Sequence, residues 1–313
     1  MRRLKMVLLM MLAVILVFYL ASCENVAGPN DELIDAIKDI VLADSVVMLD
    51  GFDDGGAADT DYEQGLAKAV LDTFPLDYFA VRFGRRITGK PERDVVVEIS
   101  GDTAVAEITS TIYGKFIIHY VDTTNHVLRD SVIKDFTVVT KQRIKLYKYR
   151  NTRNPKRNWK VVAFTPILGR TEGSDLEILS VCVDHNGEEI FSIQNDSTDS
   201  ILNFYMGRET FVNFRPNVTL HVKMSVANPT PFVYEPGEVA LVHYGVRRGI
   251  MKARRRLTDP ENDDVFEGLV RMHGHGSHMC RTFFDLIDMA TIFDKDAPVN
   301  STFWALPYRV RRH

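Results

Sequence analysis

From Arg93 to about Tyr120 the apolar pattern takes a period of two on either side of a turn, a period that only extended chain satisfies. Val95, Val97 and Ile99 alternate up to Gly101-Asp102, a tight-turn pair, and Ala104, Ala106, Ile108 and Ile112 alternate on the return. The spacing predicts a hairpin with one buried face. Two further strands are expected at about Val132 to Tyr149 and Trp159 to Pro166, on either side of the polar turn Asn151 to Asn158.

The period upstream is helical. Asn30 is a good N-cap, Asp31 and Glu32 suit a positive helix terminus, and Leu33, Ile34, Ile37, Ile40, Val41, Val47 and Met48 follow helical spacing. After an Asp- and Gly-rich loop, Thr60 and Glu63 form a capping box ahead of Tyr62, Leu66, Ala69, Val70 and Phe74, which predicts a second helix. Helices followed by a meander of long antiparallel strands make an α+β pattern.

This order resembles the nuclear-transport-factor-two-like cone fold, in which amino-terminal helices close over a curved antiparallel sheet. The likeness covers residues 30–170. Asp77-Tyr78-Phe79, Phe83-Gly84-Arg85-Arg86-Ile87 and the closing Trp159-Lys160-Val161-Val162-Ala163 carry it. It implies a pocket between helices and sheet, as in the related ketosteroid isomerase, where an aspartate base and acidic donors work in an apolar cavity. Asp77, Tyr78, Tyr113, His119 and Tyr147 are the polar residues it points to, and none matches that enzyme's catalytic positions.

Gly169 to Ser174 is polar and glycine-bearing and precedes a change of pattern, so it reads as a linker. Short strands then follow at regular spacing, parted by turn clusters such as His185-Asn186-Gly187 and Glu235-Pro236-Gly237. The expectation for residues 174–313 is an all-β sandwich of immunoglobulin-like arrangement, lacking the paired cysteines and tryptophan of that family. Two folding units, 30–170 and 174–313, fit the length.

The amino terminus has a different character. Arg2, Arg3 and Lys5 precede an unbroken apolar run from Met6 to Leu20, shorter than the ~20 residues of a comfortable membrane span. Leu20-Ala21-Ser22-Cys23 follows directly and resembles the lipobox of bacterial lipoproteins at all four positions. The resemblance implies that residues 1–22 are a signal peptide, that cleavage falls before Cys23, and that acyl chains such as palmitate join that residue. A thiolate is a strong nucleophile, and two or three chains at ~0.8 kcal/mol per buried CH₂ hold a protein lastingly at a bilayer. Residues 23–29 would be the lipidated cysteine and a short tether. Glu24, standing where some enterobacteria place an aspartate for inner-membrane retention, points to the outer membrane.

The composition, 45% hydrophobic and 26% charged, is that of a folded protein with a real core. Removing Arg2, Arg3 and Lys5 takes the basic residues from 38 to 35 against 42 acids, a formal charge of −7, which argues against nucleic acid as a partner. Cys182 and Cys280 would lie in a disulfide-permissive compartment, either bridged or buried as small hydrophobes.

The densest metal-ligand types fall at His273, His275, His278 and Cys280, donors that zinc accepts. Their spacing matches no metal motif, and the intervening glycines mark a turn, so no metal and no other cofactor is expected. Asp50, Asp54, Gly55 and Asp61 fall at positions one, five, six and twelve of a calcium loop, but Phe52 stands where position three needs an oxygen. Nine basic residues and no acid lie between Lys141 and Lys160. A cationic surface there, near a bilayer, would meet anionic headgroups at ~1 kcal/mol per residue. A second run, Arg247-Arg248 and Lys252 to Arg256, lies further on. Nucleophile-elbow, phosphate-loop, dinucleotide-loop and His-Glu-Xaa-Xaa-His patterns do not occur. The expected function is therefore that of a lipid-anchored bacterial cell-envelope protein, a non-enzymatic binding or scaffolding module whose partner is the membrane, its anionic lipids or another envelope protein. The alternative is a cone-fold enzyme or small-ligand carrier.

Overall fold

The computed structural model describes residues 29–47, 49, 52, 78–122, 128–195, 200–210, 212–231, 237–246, 253–271 and 278–310. The expected second helix at Thr60 to Phe74 lies outside them. Helix α1 (Pro29–Ala43) starts on a proline whose fixed φ suits a first turn, with Asp31 and Glu32 at its positive end. Strands β1 (Tyr78–Ile87), β2 (Glu92–Ser100), β3 (Thr103–Asp122), β4 (Leu128–Lys148), β5 (Trp159–Phe164) and β6 (Ile167–Thr171) follow. Next come β7 (Glu177–His185), β8 (Glu188–Gln194), the single turn α2 (Ser200–Asn203), β9 (Met206–Gly207), β10 (Asn213–Phe214) and β11 (Thr219–Ala227). The chain then runs through β12 (Glu238–Val246), β13 (Ala253–Arg256), β14 (Val265–Arg271), β15 (His278–Asp288), α3 (Met289–Phe293) and β16 (Ser301–Val310).

Two sheets hold these strands. The larger has twelve, with a main path β1-β3-β4-β6-β16-β15-β12-β13; the smaller is β14-β11-β7-β8. The hairpin that Gly101-Asp102 predicts is present, Gly101 taking the left-handed conformation at φ 59°. Strands β3 and β4 are 20 and 21 residues long, roughly 65 Å each, against a usual strand of about five or six residues. Each therefore serves two neighbourhoods.

The cores show how the large sheet bends. Its two halves fold toward each other, so that Phe83, Phe116 and Phe136 of the first half pack with Val239, Leu241, Phe283 and Phe303 of the second. On the other face of that second half, Val242, Phe284, Leu286, Trp304 and Leu306 pack against Val181, Val183, Val222, Met224 and Phe266 of the small sheet. Alternate residues of β12, β15 and β16 thus feed two different cores. Strand β16 is buried at nine of its ten positions and shows no polar face in the sequence. Beyond the bend, the far halves of β3 and β4 expose Ala104, Ala106, Ile144 and Leu146, which Ile37 and Val41 of α1 cover together with Trp159 and Phe164.

These observations correct the expected fold. The chain is mostly β: α1 covers one end of the sheet, and among the described residues no set of helices closes over a concave face as a cone requires. Nor is the carboxy-terminal half a self-contained immunoglobulin-like sandwich, because β12, β13, β15 and β16 belong to the same sheet as β1 to β6. Residues 171–177 do lead from the large sheet into the small one, but pairing runs across the expected boundary, with β6 between β4 and β16. Among the short elements that follow β8, Ser200–Asn203 forms the helical turn α2 and not a strand. The cone pattern misleads because hydrophobic alternation reports which residues face a core and says nothing about which layer supplies the other side.

The seam between β6 and β16 leaves no room for a side chain at Gly169. A Cβ there would lie 2.1 Å from Cζ of Phe303, a fully buried ring itself packed 4.6 Å from Phe52 and 5.7 Å from Phe283 between centroids. Gly169→Ala is expected to cost about 1–3 kcal/mol by overpacking. A urea midpoint equal to that of the parent would mean the ring has space to move.

Candidate functional site

Inside the bend a guanidinium, a carboxylate and an imidazole come together. Arg85 on β1 reaches across to Asp285 on β15, its Nη1 donating to Oδ2 at 2.5 Å and its Nη2 to Oδ1 at 3.0 Å. This is a two-pronged guanidinium–carboxylate pair. His243 on β12 lies 3.1 Å from Oδ2 of the same carboxylate. Arg254 on β13 donates to the carbonyl of Phe83 at 2.9 Å, so a side chain ties the end of the large sheet to its first strand. Arg281 donates to the carbonyls of Val46 and Ser45 at 2.9 and 3.2 Å, fixing the turn after α1.

Burial alone would raise the Asp285 carboxyl, but the Arg85 guanidinium and the hydrogen bond from His243 outweigh it and hold the group well below the usual carboxylate range. The acid is therefore ionised at any ordinary pH. Carboxylate and imidazole in contact are the parts of an acid–base pair, yet such a pair acts only on a group that reaches it. Side-chain exposure is 1% at Asp285 and 8% at His243, and the rings of Phe52 and Phe116 lie against the Arg85 guanidinium at 5.0 and 5.8 Å. The space is filled by phenyl groups. The cluster clamps β1, β12 and β15 together, and among the described residues it leaves the imidazole almost wholly covered.

The residues singled out from the cone resemblance do not converge. Tyr113 on β3 and Tyr147 on β4 are 44% and 45% exposed. Tyr147 stands opposite Thr103, ten residues along β3 from Tyr113, a separation of roughly 33 Å. His119 is half-buried and bonded through Nδ1 to the Ser131 hydroxyl at 2.7 Å. Tyr78 begins β1, and Asp77 lies outside the described residues. Of the histidine-rich run, His278 begins β15 and Cys280 follows on it, packed at the edge of the core under the small sheet; His273 and His275 lie outside the described residues. Among the described residues no group of three His, Cys, Asp or Glu is placed to hold a metal ion. Cys182 on β7 and Cys280 are half-buried, in different sheets, and no disulfide joins them. Of the loop Asp50 to Asp61 only Phe52 is described, and it is in the core.

The basic stretch has the clearest surface geometry. Along β4, Lys141, Arg143, Lys145 and Tyr147 face outward while Gln142, Ile144 and Leu146 are buried. Arg143 is neutralised by Glu107 at 2.8 Å, and the Lys145 ammonium lies 4.9 Å from the Tyr205 ring. Beyond β4 the chain forms a stapled tip. The Asn158 side chain, 6% exposed, accepts from the Thr152 amide and hydroxyl at 2.7 and 2.8 Å and donates to the Thr152 carbonyl at 2.9 Å. Asn154 caps a single turn at Pro155–Arg157 by accepting from the Lys156 amide at 3.0 Å. Arg150, Arg153, Arg157 and Lys160 are held outward around this tip. Exposed Tyr149 sits between Arg150 and Lys160, 5.1 and 5.8 Å from its ring centroid. Lys156 bonds to Asp39 at 2.5 Å and so sets the tip against α1. Beside it a cleft of about 640 Å³ is lined by Ile40, Asp44, Lys160 and Arg208, with Arg208 paired to Asp44.

Arg85, His243 and Asp285 were not among the residues the sequence pointed to. The signal available was a charged residue inside an otherwise apolar run, as in Thr282-Phe283-Phe284-Asp285-Leu286-Ile287 and Leu241-Val242-His243-Tyr244. Such a charge is buried only with a partner.

No protein-family model matches the chain, and no curated protein does. A solved multidomain structure of extended-synaptotagmin 2, which includes its SMP domain, aligns over 80% of this chain and 93% of its own, at 8% identity and a TM-score of 0.14. A superposition that poor carries no argument about fold or function.

Proposed function

We propose that the chain is a lipid-anchored bacterial cell-envelope protein whose folded part is a non-enzymatic scaffold or binding module, held most naturally at the outer membrane. One observation carries this reading: the uninterrupted Leu20-Ala21-Ser22-Cys23 directly after a cationic start and a short apolar run. The non-enzymatic part is supported by the interior of the bent sheet, where phenyl rings occupy the space around the Asp285–His243 pair. The reading as a cone-fold enzyme or carrier depended on a cone and is not carried forward. Among the described residues no helix is long and apolar enough to cross a membrane, so attachment in this proposal rests on the acylated cysteine.

Cys23→Ser tests the anchor. The parent chain is expected in the membrane fraction, shortened and labelled by exogenous palmitate. The variant is expected to accumulate unlabelled at the full precursor length. Normal shortening of the variant would mean that Cys23 takes no part in processing.

A further inference from the structure

We propose that the stapled tip 149–160 is a membrane-docking surface that takes the headgroups of anionic phospholipids and sets the orientation of the folded part on its bilayer. The inference rests on the anchor reading for its setting, and on the geometry of the tip for its substance.

Charge complementarity comes first. The chain as a whole is acidic, at −4, yet the sequence between Lys141 and Lys160 holds nine bases and no acid. The structure divides those charges. On the β4 face Arg143 is spent on Glu107, and β2, two strands over beyond β3, sets Asp94 and Glu98 in register with Lys141 and Lys145. At the tip Arg150, Arg153, Arg157 and Lys160 have no carboxylate partner among the described residues. The tip therefore carries four such cations against two on the strand face, Lys141 and Lys145, and α1 answers the tip at Lys156 through Asp39.

Rigidity comes second. Buried Asn158 ties both limbs of the tip together, so the backbone that carries the guanidinium groups needs no ordering at the moment of contact. Tyr149, exposed and flanked by two cations, has the apolar body and polar end that suit a headgroup boundary. Position comes third. Lys156 fixes the tip to Asp39 of α1, and α1 begins six residues after Cys23. Six extended residues and ten helical ones span at most about 35 Å, so the tip cannot be far from an acyl anchor.

The test uses the purified full chain on vesicles of phosphatidylcholine alone and of phosphatidylcholine mixed with phosphatidylglycerol, with lysine acetylation rates read by mass spectrometry. Lys148, Lys156 and Lys160 are expected to react about fivefold or more slowly on the anionic vesicles, a factor set by the worth of a single headgroup contact. Lys295, on the turn after α3, should react equally on both. High salt should abolish the protection. Replacing Arg150, Arg153 and Arg157 by Gln leaves the staple intact and should remove most of the protection. Equal rates on the two vesicles, or protection unchanged in the triple variant, would overturn the proposal. Protection that appears only when an acidic envelope protein is added would overturn it in favour of a protein partner. The intact mass of the same preparation reports acylation separately: a protected tip on an unacylated chain would sink the anchor and keep the docking, and an exposed tip on an acylated chain would do the reverse.

Discussion

Asp285→Ala is expected to lower the stability of the folded chain by about 3–5 kcal/mol, the largest effect of any single substitution considered. The carboxylate is 1% exposed and takes both terminal nitrogens of Arg85, itself 2% exposed. Removing it leaves a guanidinium in a low-dielectric interior with its main counter-charge gone. Replacing both partners with apolar residues, Arg85→Met with Asp285→Leu, removes the ionic demand and should recover most of that loss. Urea unfolding of the parent, Arg85→Met, Asp285→Leu and the double variant at neutral pH gives the coupling. A single-variant loss below about 1 kcal/mol would mean that water reaches the pair.

The same pair fixes the sign of the pH dependence. The folded Asp285 carboxyl lies below its unfolded value of 3.8, so its contribution is fully present above that value and is lost as pH falls toward the folded one. The gap between parent and Asp285→Ala should therefore narrow only below about pH 4. A gap that closes between pH 5 and 7 would mean that a group other than Asp285 governs it.

The second large effect concerns the two halves of the chain. Residues 30–170 and 174–313, expressed apart, are expected to lack cooperative unfolding when alone. The first would lose β16, the partner of β6, and the second would bare Val239, Leu241, Phe283, Ile287 and Phe303, which pack against β1, β3 and β4. At about 1.5–3 kcal/mol per large side chain, that exposure amounts to roughly 10 kcal/mol, as much as a whole domain's net stability. A sharp, reversible thermal transition in either half alone would show that the shared sheet is not needed for folding.

Much of the local structure was legible. The alternation Val95-Val97-Ile99 and the Gly101-Asp102 turn define a hairpin because one face of it is solvated, and a period of two needs that contrast. Strand β16 offers no contrast: Ser301 to Tyr308 is buried on both faces, so the sequence announces a strand without saying that it joins β6 on one side and β15 on the other. Strand β1 was missed for the opposite reason. Gly84-Arg85-Arg86 reads as a polar break, whereas Arg85 points inward to Asp285, two hundred residues on. A sequence pattern cannot identify a partner at that distance. The tip at Asn151 to Asn158 was legible as a turn and its charge as a run, but Arg143 and Lys156 could not be set apart from their neighbours until Glu107 and Asp39 came beside them.

The intact mass of the natively expressed chain tests the lipid anchor most directly. The expected species is a polypeptide that begins at Cys23, lacks the first 22 residues, and is heavier than that sequence by a diacylglyceryl group, with or without a further acyl chain. A mass that retains Met1 to Ser22, or a chain beginning at Cys23 with an unmodified thiol, would contradict it.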